Sequence, residues 1–215
     1  GGLGSPLLLA LAAAGIGTLG VVEDDVVELA NLQRQVLFTT GAVGRPKAEA
    51  AVERLAELDP TTRLVAHPVR LDRDNAPGLI AGYDLVADGS DNLATRLAVH
   101  DAALALRKPL VSASVQGLDG QLTTYKAYLG PPHPCLRCLI GESTAADALP
   151  SCAQAGVLGP VAGVLGTLQA VEVVKELLGL GTSLSGTLLA FDAAEARLDR
   201  IRFARRPGCC DRATT

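Results

Sequence analysis

The sequence predicts an α/β fold: a doubly wound, Rossmann-like mixed sheet, parallel in its N-terminal half with antiparallel strands added in its C-terminal half. Three observations predict it. Short valine-rich runs alternate with segments of helical periodicity along the first half; from Gly120 onward the runs are joined by turns too short for a crossover helix; and the apolar content is nearly all aliphatic, with three Phe, three Tyr and no Trp. Small and branched aliphatics let helices lie close on a sheet.

Ser5 is placed to cap and Pro6 to open a helix over residues 7–14, which Gly15 closes before a buried strand at 18–23. Pro46 occupies the first turn of a helix through Leu58. There Ala48, Val52, Leu55 and Leu58 recur at three- or four-residue steps, and Glu49, Glu53, Arg54 and Glu57 fall elsewhere. A strand at 63–69, a short helix at 77–81, a strand at 84–88, a long helix at 92–106 and a strand at 110–115 complete the alternation of a doubly wound sheet. Residues 121–128 alternate after the turn Gly117-Leu118-Asp119-Gly120, so that strand pairs antiparallel. Residues 130–151 are a loop rich in Pro, Gly and polar residues, 157–178 a helix, and 187–192 with 197–203 a terminal hairpin. With no repeat and no linker, residues 1–215 form one domain, its nucleotide-binding half at 1–119 and its second half at 120–215.

The composition, 48% hydrophobic and 20% charged over 215 residues, is globular. A net charge of −4 and few aromatics leave neither a basic footprint nor a stacking platform, which excludes nucleic acid as the expected partner. The uncharged runs 1–22 and 155–171 are broken by glycines and by Pro160, so no membrane span and a cytoplasmic location are expected. There is no initiating methionine, and Gly1-Gly2-Leu3-Gly4 reads as the middle of a motif. A preceding segment is therefore expected, carrying the first, central strand of the nucleotide half, and these residues alone should be inactive or unstable.

Gly1-x-x-Gly4 ahead of a helix, with Glu23 ending the next strand, matches the back half of a G-x-G-x-x-G fingerprint and its ribose-binding acid. Glycines admit phosphate to the backbone, and a helix N-terminus offers free N–H groups. So short a pattern fits helix-packing glycines and a surface acid equally well. Asn31-Leu32-Gln33-Arg34-Gln35, Arg45-Pro46-Lys47 and Ser90-Asp91-Asn92 add to it. Singly, Arg34 and Lys47 read as solvated helix residues and Asp91 as a helix N-cap. Jointly they read as a site, since Asp91 follows a predicted strand, where open α/β sheets place ligands.

These clusters, with residues 31–38, 44–47, 91–96, 135–138 and 156–169, resemble the ThiF/MoeB/HesA family, relatives of the ubiquitin-activating enzymes, in order over essentially the whole chain. The resemblance implies an adenylyltransferase that uses ATP and Mg²⁺ to join AMP to the C-terminal carboxylate of a ubiquitin-like sulfur-carrier protein ending in Gly-Gly, of thiamine or molybdopterin type, before thiocarboxylate formation. It implies Arg34, Lys47 and Asp91 as catalytic residues, with Asp91 on Mg²⁺. With them Gly1, Gly2, Gly4, Glu23, Asp25, Asn31, Gln35 and Asn92 would bind the nucleotide, Asn31 at the phosphates and Glu23 at the ribose. The residue types suit the chemistry: arginine offers a planar fork, lysine a mobile charge and aspartate a hard oxygen. The resemblance further implies a sulfur-donor protein, and a homodimer in which an arginine from the partner's N-terminal segment completes the site.

Five cysteines, an odd number in a chain without a secretion signal, point away from a disulfide framework and toward metal or thiol chemistry. Cys135-x-x-Cys138 has the spacing of half a tetrahedral zinc site, and Cys209 and Cys210 reach it if the terminal hairpin returns the chain to that loop. Relatives close the site with a second C-x-x-C, whereas here Cys209-Cys210 is followed by Arg212 in the expected ligand position. The fourth position is then Cys210, water or another group, or the site is degenerate. Cys152 precedes a glycine-rich helix, where a thiol tends to be nucleophilic, and the resemblance makes it the thiol of the sulfur step; the alternative is a small buried loop residue. Two other functions compete: an NAD(P)-dependent Rossmann oxidoreductase, which accounts for the glycines and Glu23, and a catalytically silent partner subunit.

Overall fold

The computed structural model describes residues 1–141 and 156–210. The N-terminal half runs α1 (Gly4–Ala13), β1 (Thr18–Val22), α2 (Lys47–Leu58), β2 (Arg63–His67), α3 (Ala76–Ile80), β3 (Val86–Asp88), α4 (Leu93–Ala105) and β4 (Leu110–Gln116). Then follow β5 (Asp119–Tyr125), a short helix α5 (Leu136–Ile140), the 20-residue α6 (Gly159–Leu178), β6 (Thr187–Asp192) and β7 (Arg197–Arg202). β1 pairs with β2 in parallel. A separate sheet has the order β3-β4-β5-β6-β7, parallel at β3–β4 and antiparallel thereafter. The expected alternation and the mixed pairing are both present.

Three details differ from the sequence reading. The helix begins at Gly4, not after Ser5, because the chain is already helical at Leu3, with Ser5 N–H donating to the Gly1 carbonyl. Pro6 is tolerated there because the first-turn N–H groups need no helical acceptor. The β4–β5 turn is only Gly117-Leu118: Gln116 faces Asp119, and Gly117 takes the positive φ that such a tight turn demands. The loop after Gly130 contains α5, whose single turn is too short to leave a periodic signal.

Side chains alternate across β4. Val111, Ala113 and Val115 join the main core with α1, α2, β1 and α6, while Leu110 joins a second core with α3, α4, Tyr125 and Leu136. Close packing of α6 fixes the main core. A β-carbon at Gly166 would overlap the Leu3 carbonyl oxygen and Pro6, and one at Gly120 would overlap Leu165. The buried Glu172 of α6 accepts hydrogen bonds from Thr124 Oγ1 (2.9 Å) and the Leu184 N–H (2.7 Å), and pairs with Lys175, so its charge is satisfied while it ties α6 to β5.

β1 and β3 are not hydrogen-bonded to one another among the described residues, and a cavity of about 2440 Å³ is lined by both strands and by α1.

The packing yields an internally controlled prediction. Gly166→Ala should lower stability by roughly 1–3 kcal/mol through overpacking. Gly163→Ala, where a β-carbon meets nothing within 4 Å, should raise it by about 0.5–1 kcal/mol. Urea unfolding of both variants checks this, and equal effects would contradict the packing.

Candidate functional site

The site lies where the first turn of α1 meets the ends of β1 and β3. The Gly1 nitrogen is 3.7 Å from the Glu23 carboxylate, just past β1, and a β-carbon at Gly89, just past β3, would come within 3.0 Å of Leu3 Cβ. Gly1, Gly2, Gly4, Glu23, Asp25, Asn31, Arg34, Gln35, Lys47, Asp91 and Asn92 all line the same cavity.

Arg34 sits in a tight loop in which the Asn31 carbonyl accepts the N–H groups of Arg34 (3.1 Å) and Gln35 (3.0 Å). The loop is pressed against α6, since a β-carbon at Gly159 would overlap the Gln33 carbonyl, and the Arg34 stem lies against Gly2. The Arg34 guanidinium has no hydrogen-bonded or ionic partner among the described residues. Lys47 is almost fully buried, and its ammonium is paired with Asp25. An antiparallel bridge between Val26 and Pro46 and the Lys47 N–H donated to the Asp25 carbonyl (2.9 Å) hold the two together. The hydrogen bond from Lys47 keeps the Asp25 carboxyl below its usual range. Asp25 therefore sets the position of Lys47.

Asn92, not Asp91, caps α4, accepting the Thr95 N–H at 2.9 Å. The bland reading of Asp91 as a cap is thereby removed, and its exposed carboxylate has no hydrogen bond or ion pair among the described residues. The preceding Asp88 is buried and shapes the loop: it accepts the Ser90 N–H (2.9 Å) and the Ser112 hydroxyl (3.2 Å), with Arg96 Nε 3.7 Å away. Gln169 of α6 donates to the carbonyls of Asp88 (2.9 Å) and Val111 (3.0 Å), clamping the ends of β3 and β4. Sequence reasoning missed Arg96 and Gln169, which touch the site only through the fold. Ser5 Oγ, Asn31 Oδ1, Gln35 Oε1 and Ser90 Oγ are buried without a hydrogen-bond partner among the described residues, and their residues line the cavity. A surface that strands polar atoms in this way fits a polar ligand better than an apolar one.

The cysteine cluster is separate. Cys135 Sγ lies 3.6 Å from Cys138 Sγ and 3.6 Å from Cys209 Sγ, and all three lie within 4.8 Å of one another. Cys210 Sγ comes to 3.7 Å from Cys138 Sγ without completing that mutual set. A zinc tetrahedron with bonds of about 2.3 Å has sulfur–sulfur edges of about 3.8 Å, so the donor set fits the ion. Burial pushes the Cys135 thiol up; Cys138, despite burial, is held down at about 7 by the Arg206 N–H donated to its sulfur at 3.3 Å. His133 bonds to Ser185 Oγ (2.8 Å), consistent with a loop residue. Cys152 and Arg212 lie outside the described residues.

Residues 1–211 match the ThiF family. The chain is 48% identical over 211 residues to a sulfur carrier protein adenylyltransferase of Thermus thermophilus, covering 97% of this chain and 78% of that protein. It is 47% identical to the adenylyltransferase and sulfurtransferase MOCS3 of Mus musculus, again over 97% of this chain but only 45% of that protein. Among solved structures, Escherichia coli MccB with ATP superimposes with a TM-score of 0.83 at 21% identity, over 97% of this chain and 63% of MccB, a likeness of fold. The chain thus spans less than half of the mouse relative and under two thirds of the structural one.

The Asp25–Lys47 pair gives a pH prediction. A carboxyl whose pKa is lowered by folding adds stability that is present above its unfolded value of about 3.9 and is lost as pH falls through the folded value. Asp25→Asn should therefore melt below wild type from pH 5 to 7, with the difference shrinking as pH falls toward about 3. A difference that does not change with pH would contradict the pairing.

Proposed function

The chain belongs to the ThiF family, and from that premise we propose that it adenylates the C-terminal glycine carboxylate of a ubiquitin-like sulfur-carrier protein. The observation that carries this reading is that Arg34, Lys47, Asp91 and Glu23 line one cavity with the first turn of α1, with Arg34 and Asp91 lacking a hydrogen-bonded or ionic partner among the described residues. A nicotinamide oxidoreductase would use the glycines and Glu23 but would leave Arg34 and Asp91 without work. A silent subunit would have no use for any of the four.

In the reaction, a carboxylate oxygen of the carrier attacks the α-phosphorus of ATP. The bond from that phosphorus to the bridging oxygen breaks, and pyrophosphate leaves with the electron pair. No general base is required, because the attacking carboxylate is already ionised. Negative charge is the obstacle. Arg34 presents its fork to phosphate oxygens, Lys47 supplies a charge held in place by Asp25, and the positive end of the α1 dipole favours an anion. Glu23 accepts from the ribose hydroxyls. Asp91 is the residue placed to hold Mg²⁺, which when bound neutralises triphosphate charge and orients the leaving group.

Zn²⁺ belongs at Cys135, Cys138 and Cys209, with Cys210 nearest to a fourth position; it is structural in this reading, since the cluster stands apart from the nucleotide residues. Cys152 belongs to the later sulfur step, with a sulfur-donor protein as its partner. The active protein is one cytoplasmic domain that includes a further parallel strand seated between β1 and β3, which the split sheet supports. No helix among the described residues is long and apolar enough to cross a membrane. The active form is a homodimer. Val164, Val171 and Leu178 support this, lying at seven-residue intervals on α6 and 43%, 54% and 65% exposed.

In a full-length protein, Arg34→Ala and Asp91→Ala should each lower carrier-dependent ATP–pyrophosphate exchange by about 100-fold or more, while Cys152→Ser leaves it unchanged. Loss of exchange in Cys152→Ser would move that thiol into the adenylation step. No exchange by the wild type with any Gly-Gly carrier would remove the proposed function.

A further inference from the structure

The two residues between Cys135 and Cys138 are both gripped by consecutive residues of α4. His100 is 1% exposed, and its Nε2 accepts the Leu136 N–H at 3.2 Å. A ring nitrogen that accepts a backbone N–H carries no proton, so in the neutral ring the proton is on Nδ1, which lies 3.0 Å from Asp101 Oδ1. Asp101 in turn receives Arg137 in a fork, Nη2 to Oδ2 at 2.8 Å and Nη1 to Oδ1. Arg137 Nη1 and His100 Nδ1 come within 3.5 Å because both are drawn to the same oxygen. The fork holds the Asp101 carboxyl well below the usual range in spite of the opposing effect of burial.

From the other side Arg206 closes the knuckle, donating Nη2 to the Arg137 carbonyl at 2.5 Å and its backbone N–H to Cys138 Sγ. Tyr125 packs edge-on against the His100 ring, with centroids 5.7 Å apart. Leu136 and Arg137 are thus each tied to α4, Leu136 through its N–H and Arg137 through its guanidinium.

We propose that His100 and Asp101 are positioning residues for the cysteine cluster: they hold Leu136 and Arg137 so that the Cys135 and Cys138 sulfurs stand at the spacing of a tetrahedral metal site. The proposal rests on the reading of the cluster as a metal centre, and the grip on Leu136 and Arg137 is measured separately by hydrogen exchange.

The test uses the full-length protein and Zn²⁺ or Co²⁺ alone. Affinity is read by chelator competition and by cobalt visible absorption. His100→Leu and Asp101→Asn should each weaken binding by about 10–100-fold, the usual consequence of losing a group that orients a ligand. His100→Gln, whose amide oxygen can still accept the Leu136 N–H, should recover to within a few-fold of wild type, a rescue that general destabilisation would not produce. Affinity unchanged in His100→Leu, or in Asp101→Asn should the leucine variant not fold, overturns the proposal. If the wild type binds no metal, the metal reading fails, and hydrogen exchange of the metal-free proteins decides the rest. Amides of Leu136 and Cys138 exchanging at least about 10-fold faster in His100→Leu would sustain the positioning role, and unchanged exchange would overturn it.

Discussion

One face of α6 serves as the gauge against which the nucleotide end is built. Gly159 abuts the loop that carries Arg34, Ala162 lies against Gly2, Gly166 against Leu3, and Gln169 holds the end of β3 that precedes Asp91 to its neighbour β4. These residues stand at i, i+3, i+7 and i+10, the spacing of a single helical stripe. Three of the four are Gly or Ala, because only residues without a side chain or with a methyl allow the backbone of α1 and the Arg34 loop so near. A helix of ordinary side chains at these positions would push Arg34 and the first turn of α1 away from Asp91.

Charge is then arranged around this frame in two ways. Lys47 is buried and would be costly alone, so Asp25 neutralises it and fixes its direction. Arg34 is half-buried and Asp91 exposed, and neither has a hydrogen-bonded or ionic partner among the described residues, so each can meet a charged ligand without first breaking a described bond. Asp88, one turn of chain before Asp91, is committed to Ser90, Ser112 and Arg96, and keeps the loop in shape while Asp91 stays available. Neighbouring aspartates of the same residue type thus differ in role because one is buried and satisfied and the other is neither.

Much of this is legible in the sequence. Periodicity locates the helices within a few residues, and the βαβα order with its antiparallel tail follows from turn lengths. Arg34, Lys47 and Asp91 stand out because their types suit a triphosphate and because Asp91 follows a strand. What the sequence does not disclose depends on distance in space. Nothing in Asp25 announces Lys47 as its partner, Gln169 reads as one more helix residue until β3 and β4 arrive beneath it, and Asn92 and Asp91 are equally good caps on paper. His100 and Asp101 are invisible for the same reason: they act on residues 36 positions later, brought near by the fold. The split of the sheet at β1 and β3 follows from strand pairing, which periodicity does not encode.

The cysteine cluster and the proposed nucleotide residues are two separate centres, and in the proposed reaction bond formation belongs to the second alone. The most direct measurement is the intact mass of a Gly-Gly carrier protein after incubation with full-length enzyme, ATP and Mg²⁺. The account predicts a carrier heavier by one AMP residue, with pyrophosphate released in equal amount, and the same product from Cys152→Ser. A carrier that gains phosphate with release of ADP, or that is left unmodified while a nicotinamide cofactor is turned over, would contradict it.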